Sequence, residues 1–287
     1  MVRHGFRSIV FCAVICGAFQ ASVGWAGNVI LMIGDGMGLQ HIICSQYDKS
    51  FLYYEFPMSG FVSTENVLGN VTDSAAAATA YACGRKTRNG YLGILPDKTP
   101  CQTIAEDMVK SGGQVGLYTT DKAEGATPAG FYAHTEDRKA KAEIQSHLQT
   151  AQKTMDIRAP LKELAPEMPQ ILSGLTPPFF AMIEGAYIDK KSHAGQMPEM
   201  QAAMRDFDSA VRQAYRFTQK TPDTTLIVLA DHETGGLDEE CRFTSTQHTG
   251  IDVPLFAAGA KAARFIGPLD NTEIYDRMRQ ILFDKGR

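Results

Sequence analysis

Residues 28–36 read NVILMIGDG, an apolar run with the length and β-branched content of a buried strand, ended by an acid between two glycines. Four later stretches share this form: GQVGLYTT (113–120), FFAMIEG (179–185), TTLIVLADHE (224–233) and VPLFAAG (253–259). Helical patterns lie between them: SAAAATAYACG (74–84), CQTIAEDMVKSGG (101–113), PEMQAAMRDFDSAVRQAYRFTQK (198–220) and NTEIYDRMRQILFDKG (271–286). This alternation predicts a three-layer α/β/α sandwich with a largely parallel central sheet.

The stretch from Lys139 to Pro178 is the hardest to interpret. Its front half is charged and predicts a helix, whereas its back half, APLKELAPEMPQILSGLTPP (159–178), is proline-rich and predicts a connection. Nothing in it indicates an independent domain.

Residues 1–26 have the pattern of a cleaved signal peptide. Arg3, His4 and Arg7 precede the apolar run SIVFCAVICGAF (8–19), and small residues follow at Gly24 and Ala26. The apolar run is too short for a stable membrane span. We therefore expect residues 27–287 to form the mature domain, in a periplasmic or secreted location.

Charge and cysteine content narrow the class of protein. Removal of residues 1–26 takes away two arginines and no acid, so the net charge changes from −4 to −6, which argues against nucleic acid as a partner. Four cysteines remain, and in an oxidising compartment they can form two disulfides, although their spacing does not fix the pairing. None lies in a CxxC zinc pattern. The four are Cys44, Cys83, Cys101 and Cys241.

Polar residues follow the predicted strands where each strand ends. Asp35, Glu184 and Asp231 come directly after three of them, with His232 beside Asp231, and Thr119 and Thr120 end a fourth. The carboxyl ends of strands line the ligand crevice in open α/β sheets, so these groups should converge. A single such acid is usually a turn or cap residue, but three of them favour a metal site.

Further metal-ligand types lie in two other segments. Asp189 and His193 are four residues apart, a spacing that places both on one face of a helical turn, and His248 precedes the last predicted strand. Alone, these would be an exposed helix pair and a loop histidine. With Asp35, Asp231 and His232 they supply oxygen and nitrogen ligands for two zinc ions, the arrangement that clamps attacking and leaving oxygens in phosphoryl transfer.

Asp73 and Ser74 stand at the start of the alanine-rich helix. Both residue types are preferred at helix N-caps, so on this feature alone a structural role is the better interpretation. Caps are far commoner than nucleophilic serines, so the rest of the chain has to decide whether Ser74 has a chemical role.

Six blocks together resemble the alkaline phosphatase family, in that family's order, over about Asn28 to Leu282. They are MIGDGMG (32–38), VTDSAAAATAYACGRKTRNG (71–90), ATPAGFYAHTEDR (126–138), EGAYIDKKSHAG (184–195), ADHETGG (230–236) and QHTGIDVPLFAAG (247–259). The resemblance implies hydrolysis of small phosphate monoesters through a phosphoserine intermediate. Inorganic phosphate is then both product and inhibitor.

The resemblance also implies a role for each site residue. Ser74 becomes the nucleophile, Arg138 the phosphate clamp, and Lys190 a residue that helps to hold phosphate through water. The implied ligands are Asp189, His193 and His248 for one Zn²⁺, Asp35, Asp231 and His232 for a second Zn²⁺, and Asp35, Thr127 and Glu184 for one Mg²⁺.

This sequence departs from the family in two places. Gly125 stands where relatives usually carry an Asp or His beside the third metal, which predicts weaker magnesium binding with more water ligands. The interval from Arg138 to Phe179 is also much shorter than is usual, which predicts a compact variant and leaves the oligomeric state open, a homodimer included.

Alternative functions remain open to different degrees. A phosphodiesterase of the same superfamily differs mainly in the pocket beyond the phosphate. A non-catalytic phosphate- or metal-binding protein would lack ligands or the nucleophile, and all are present here. A sulfatase is disfavoured, because DSAAAA (73–78) has no Pro and Arg following the serine.

Overall fold

The computed structural model describes residues 27–284, so the predicted signal peptide lies outside the described residues. The strands are β1 (Asn28–Gly34), β2 (Met58–Ser63), β3 (Gln114–Thr119), β4 (Asp156–Arg158), β5 (Phe179–Gly185), β6 (Thr224–Leu229), β7 (Glu233–Thr234), β8 (His248–Thr249), β9 (Val253–Gly259) and β10 (Leu269–Asp270). The helices are α1 (Leu39–Cys44), α2 (Phe51–Tyr54), α3 (Ser74–Cys83), α4 (Ile104–Lys110), α5 (Ala126–Ala129), α6 (Lys141–Ala151), α7 (Met168–Gly174), α8 (Tyr187–His193), α9 (Met197–Thr218) and α10 (Asn271–Phe283).

The central sheet has eight strands in the order β10-β2-β9-β6-β1-β5-β3-β4. The pairs β1/β5, β1/β6, β3/β5, β3/β4 and β2/β10 are parallel, and β9 runs antiparallel to both of its neighbours, β2 and β6. Every residue of β1, β5 and β6 is buried, as their apolar sequences require. The predicted largely parallel sheet is confirmed.

Helices cover both faces of this sheet, which makes the predicted three layers. The 22-residue α9 lies over β1, β6 and β9, and α1, α2, α7 and α8 pack against it. On the other face α4, α5 and α10 contact the central strands, and α3 packs against α5 and α10. No helix within residues 27–284 combines the length and apolarity needed to cross a bilayer.

The alanine-rich α3 is buried along its whole length. Its small side chains allow a close approach to the segment after α5, where a Cβ added to Gly130 would lie 2.6 Å from Ala78 Cβ. Tyr81 donates a hydrogen bond of 2.7 Å to the carbonyl of Ala230, at the end of β6. The second half of α3 is thereby held against the carboxyl end of β6.

The structure corrects one local prediction. The front half of 139–178 forms α6 as expected, but the proline-rich back half is more than a connection, because it contains α7 and follows the edge strand β4. Leu164, Met168 and Ile171 are buried there. Tertiary burial of these apolar side chains outweighs the local proline signal.

Two disulfides settle the cysteine pairing. Cys44 is bonded to Cys241, 197 residues away, and Cys83 to Cys101, 18 residues away. The first joins the end of α1 to the loop between β7 and β8. The second joins the end of α3 to the segment before α4.

Candidate active site

The sheet register brings the predicted strand-end acids together. Ile33 of β1 pairs with Glu184 of β5 on one side and with Leu229 of β6 on the other. Asp35 and Asp231 follow these positions by two residues. The chain can turn tightly after β1 because Gly36 has φ +75°, and a Cβ there would lie 2.9 Å from Asp189 Cα.

One cluster consists of Asp189, His193 and His248. His193 Nε2 lies 3.1 Å from His248 Nε2 and 3.2 Å from Asp189 Oδ1, and His248 Nε2 lies 3.6 Å from the same oxygen. The three ligand atoms lie within 4.8 Å of one another, close enough to hold one metal ion. Asp189 and His193 come from α8, and His248 comes from β8.

Hydrogen bonds at the far side of each ring set which nitrogen faces this cluster. His193 Nδ1 donates to the carbonyl of Thr246 at 2.6 Å, and His248 Nδ1 donates to the carbonyl of Thr72 at 3.0 Å. The Nε2 atoms therefore face each other. Backbone carbonyls that fix the tautomer in this way are typical outer partners of metal-binding histidines.

A second cluster consists of Asp35, Asp231 and His232. His232 Nε2 lies 3.2 Å from Asp231 Oδ2 and 3.6 Å from Asp35 Oδ1, and all three residues are buried. The His232 ring stacks on His248 with centroids 3.5 Å apart, so the two clusters are adjacent. Asp189 also lies within ligand distance of Asp35 and His232.

Thr234 joins the two clusters from behind. Its hydroxyl donates to Asp189 Oδ1 at 2.6 Å and accepts from His232 Nδ1 at 3.2 Å. His232 therefore also presents Nε2 to its cluster. All three histidines thus aim an acceptor nitrogen inward.

The residues present fit a bound cation. Asp35 Oδ1 and Asp231 Oδ2 are buried and have no hydrogen-bond partner among the described residues. Unpaired buried carboxylate oxygens are costly, and a cation removes that cost. Nitrogen and oxygen donors without sulfur suit zinc in a site that exchanges ligands.

Burial or neighbouring charges raise the pKa values of three residues of the site. Burial, followed by the charges of Asp231 and Asp189, raises the pKa of Asp35 well above its usual range. Burial raises the pKa of Glu184 to about 7, and the charge of Asp121 adds to this. A hydrogen bond to Asp189 raises the pKa of His193 to about 9, so without a metal a proton takes the cation's place.

Glu184 and Thr127 lie at a third position. The Thr119 hydroxyl donates a hydrogen bond to Glu184 Oε2. Thr127, in α5, is buried, and its hydroxyl has no hydrogen-bond partner of good geometry within the described residues. Oxygen side chains of this kind suit a hard cation such as Mg²⁺.

Ser74 is the first residue of α3 and is buried. Its Oγ lies 3.3 Å from His232 Nε2, beside the second cluster. Asp73 is the N-cap, because its Oδ1 accepts from the Ala76 backbone N–H at 2.9 Å. The two neighbouring residues thus have different environments: Asp73 caps the helix and Ser74 faces the carboxylates and histidines.

Arg138 and Lys190 each contact an acid. Arg138 Nη1 lies 3.0 Å from Asp73 Oδ2, which also accepts from the Gly90 backbone N–H at 2.9 Å. Lys190 Nζ is ion-paired with Asp121 Oδ1. Both cations are partly exposed and so remain accessible to an anionic ligand.

His41 supports the site from beneath. Its Nδ1 accepts from the Gly38 backbone N–H at 3.2 Å, and its Nε2 contacts Ser192 Oγ at 3.0 Å, next to His193. The ring is fully buried and neutral, since burial lowers its pKa to about 4. This contact fixes α8, which carries Asp189 and His193.

Four residues of the site were missed by sequence reasoning, and His41, which no sequence pattern singled out, is one of them. Asp73 was interpreted only as a cap, and its contact with Arg138 spans 65 residues of sequence. Thr234 lies within the block ADHETGG (230–236), but neither the residue pattern nor the resemblance assigned it a role. Asp121 directly follows the predicted strand GQVGLYTT (113–120), so the strand-end rule that selected Asp35 and Glu184 applies to it as well.

The comparisons with known proteins agree on one family. A family model described as alkaline phosphatase matches residues 26–165 and 157–242. Alkaline phosphatase 4 of Bacillus subtilis is 26% identical over 284 residues, covering 73% of this chain and 62% of the relative. The mouse tissue-nonspecific isozyme is 34% identical over 134 residues, covering 39% of this chain and 26% of the relative. The chain spans about three fifths of the length of the Bacillus relatives that it matches.

Solved structures give the same result for the fold. Alkaline phosphatase from the Antarctic bacterium TAB5 has a TM-score of 0.77 and 27% identity, covering 88% of this chain and 97% of that chain. The enzyme from Shewanella sp. has a TM-score of 0.78 at 22% identity, covering 90% of this chain and 100% of that chain, which is evidence for the fold alone.

The sheet order and the two carboxylate–histidine clusters define an α/β protein whose sheet carries, at its carboxyl edge, groups that could hold metal ions. With the family match over most of its described length, the chain belongs to the alkaline phosphatase family.

Proposed function

We propose that the protein hydrolyses phosphate monoesters through a phosphoserine intermediate on Ser74, at a site for two Zn²⁺ and one Mg²⁺. The observation that carries this proposal is the position of Ser74 Oγ, at a helix N-terminus and 3.3 Å from His232 Nε2, with the neighbouring residue Asp73 bound to the partly exposed Arg138. When bound, the zinc ions lower the pKa of hydroxyl groups and neutralise developing negative charge.

The chain's own residues supply the remaining chemistry. The Ser74 oxygen attacks phosphorus as the ester oxygen leaves, and water then cleaves the serine–phosphorus bond to give inorganic phosphate. The N-terminus of α3 directs backbone N–H groups toward the phosphoryl oxygens. The Arg138 guanidinium forms two parallel hydrogen bonds with phosphate oxygens, and Lys190 adds a second positive charge.

The third position is proposed to bind Mg²⁺ through Asp35, Thr127 and Glu184. Two solved structures of TAB5 alkaline phosphatase variants, His to Asp and His to Glu, have Mg bound in the M3 site. A carboxylate-rich third site in this chain accordingly favours Mg²⁺ over zinc.

Export to the periplasm or the medium is the proposed location. The two disulfides support it, because such bonds persist in oxidising compartments. The homodimer stays a prediction.

The test is steady-state hydrolysis of a phosphate monoester, a phosphate diester and a sulfate ester, with zinc and magnesium added. We expect kcat/KM for the monoester to exceed the other two by about 100-fold or more, because only the monoester presents two negative charges to the cationic groups. The Ser74→Ala variant, purified in the same way, measures any contaminating phosphatase. Preference for the diester would favour the phosphodiesterase alternative, and absence of all turnover would favour a binding protein.

A further inference from the structure

Asp121 has no role in the chemistry described so far, yet it lies among the residues of the third position. Its backbone N–H donates to Thr119 Oγ1 at 2.8 Å, and the same hydroxyl donates to Glu184. Its Oδ1 is ion-paired with Lys190. Asp121 therefore connects the magnesium position to the phosphate-facing lysine.

The carboxylate of Asp121 also occupies the space beside Gly125. A Cβ added to Gly125 would lie 3.0 Å from Asp121 Oδ2 and 3.0 Å from the carbonyl oxygen of Lys122, which is tighter than ordinary contact. The backbone at Gly125 does not itself require glycine, because its φ is −56° and its ψ is 152°. A side chain here is crowded by neighbouring atoms, which would have to shift by a few tenths of an ångström, and is not opposed by the backbone conformation.

Two buried oxygens indicate that a cation belongs at this position. Asp35 Oδ1 lacks a hydrogen-bond partner within the described residues, and Thr127 Oγ1, which lies beside Glu184, has none of good geometry there. Both residues are more than nine-tenths buried. Burying such groups without a partner is unfavourable. A divalent cation with oxygen ligands would satisfy both.

We infer that Asp121 replaces the side chain that Gly125 lacks, adding a carboxylate to the Mg²⁺ position and positioning Lys190 toward the phosphate. The inference deepens the proposed function and rests on its assignment of the third position. The carboxylate reaches the site from four residues earlier in the same loop. Gly125 then reflects a relocated acid and not a lost one.

The first test is calorimetric titration of Mg²⁺ into the zinc-loaded protein, which needs no turnover. We expect Asp121→Asn to raise the Kd for Mg²⁺ about tenfold, because a charged oxygen ligand is lost from a site of few protein ligands. The matched control is Glu124→Gln, which removes the same charge from the same loop. An unchanged Kd in Asp121→Asn, or an equal increase in Glu124→Gln, would overturn the inference.

A double variant that moves the acid from position 121 to position 125 tests whether either position can supply the carboxylate. Asp121→Ala removes the carboxylate beside Gly125 and leaves the Lys122 carbonyl 3.0 Å from the added Cβ. If a small backbone shift accommodates that contact, the double variant Asp121→Ala, Gly125→Asp should recover a Kd for Mg²⁺ within about threefold of the unmodified protein. No recovery relative to Asp121→Ala would contradict the claim that the two positions are equivalent.

The effect on Lys190 is measured separately, by competitive inhibition with inorganic phosphate. Asp121→Asn should raise the inhibition constant about threefold, and this effect should disappear in a Lys190→Met background, since the acid acts through the lysine. Equal effects in both backgrounds would refute the positioning role. If the protein hydrolyses no monoester but Mg²⁺ binding still depends on Asp121, the proposed function fails and the relocated ligand stands.

Discussion

The disulfide between Cys44 and Cys241 should determine both the stability of the protein and the integrity of one cluster. It ties α1 to the loop between β7 and β8, and that loop contains Thr246, whose carbonyl orients His193, and leads directly into His248. Cys44→Ser removes the tie with a small change in volume. Two consequences follow, one global and one local.

The global consequence can be estimated from loop closure in the unfolded chain. A bond across 197 residues stabilises by about 5 kcal/mol on this model, and a bond across 18 residues by about 3 kcal/mol. Urea unfolding at constant metal concentration measures both values. We expect Cys44→Ser to lower the free energy of unfolding more than the matched variant Cys83→Ser does.

The local consequence concerns metal. Cys44→Ser should weaken the cluster of Asp189, His193 and His248, because the loop that positions two of its contacts is freed. The cluster around Asp231 is held by β6 and should keep its zinc. Metal analysis after dialysis against a weak chelator distinguishes the two. Equal unfolding free energies for both serine variants, with two zinc ions retained in each, would refute this reasoning.

Three further predictions concern single residues. Asp73→Ala should lower the free energy of unfolding by about 2 kcal/mol in denaturant titration, because the Ala76 and Gly90 N–H groups lose their acceptor. Asp73→Asn keeps the cap through Oδ1 and should lower it less. Equal losses in the two variants would contradict the capping role of Asp73. His41 has a folded pKa of about 4, below its ordinary 6.5, so its contribution of about 3 kcal/mol to the free energy of unfolding is complete above pH 6.5 and is lost as the pH falls to about 4. His41→Gln should therefore make the free energy of unfolding depend less on pH between 6.5 and 4 than it does in the unmodified chain. An unchanged pH dependence would contradict the burial of a neutral His41. Asp231→Ala and His248→Ala should each bind fewer than two zinc ions per chain, because they remove ligands from different clusters; retention of both ions in either variant would show that the ligand assignment is wrong.

Strong apolar periodicity made the centre of the fold predictable. The five stretches with buried-strand form all became strands, and the four helical patterns became α3, α4, α9 and α10. The strand β2 was missed because its sequence, MSGFVS, is mostly half-exposed and contains Gly60. The edge strand β4 has only three residues, and its pairing with β3 depends on the folded sheet. Short elements of this kind are determined by tertiary contacts, which no local pattern contains.

Some residues of the candidate site could likewise be found from the sequence, and others could not. Residues at strand ends and in the α8 turn could be found from sequence because parallel strands share one edge. The contacts of Asp73 with Arg138 and of Asp121 with Lys190 could not be found in this way, since they join segments separated by 65 and 69 residues of sequence. Their existence depends on side-chain directions that only the folded chain defines.

The central claim is that Ser74 carries the phosphoryl group. The most direct measurement is mass spectrometry of the zinc- and magnesium-loaded protein after acid quenching with inorganic phosphate, followed by peptide mapping of residues 71–85. We expect one phosphate on Ser74, lost in Ser74→Ala and in metal-stripped protein, while Ser74→Ala still binds both zinc ions. Monoester turnover by Ser74→Ala at the rate of the unmodified protein, or phosphate attached to a different residue, would contradict the account.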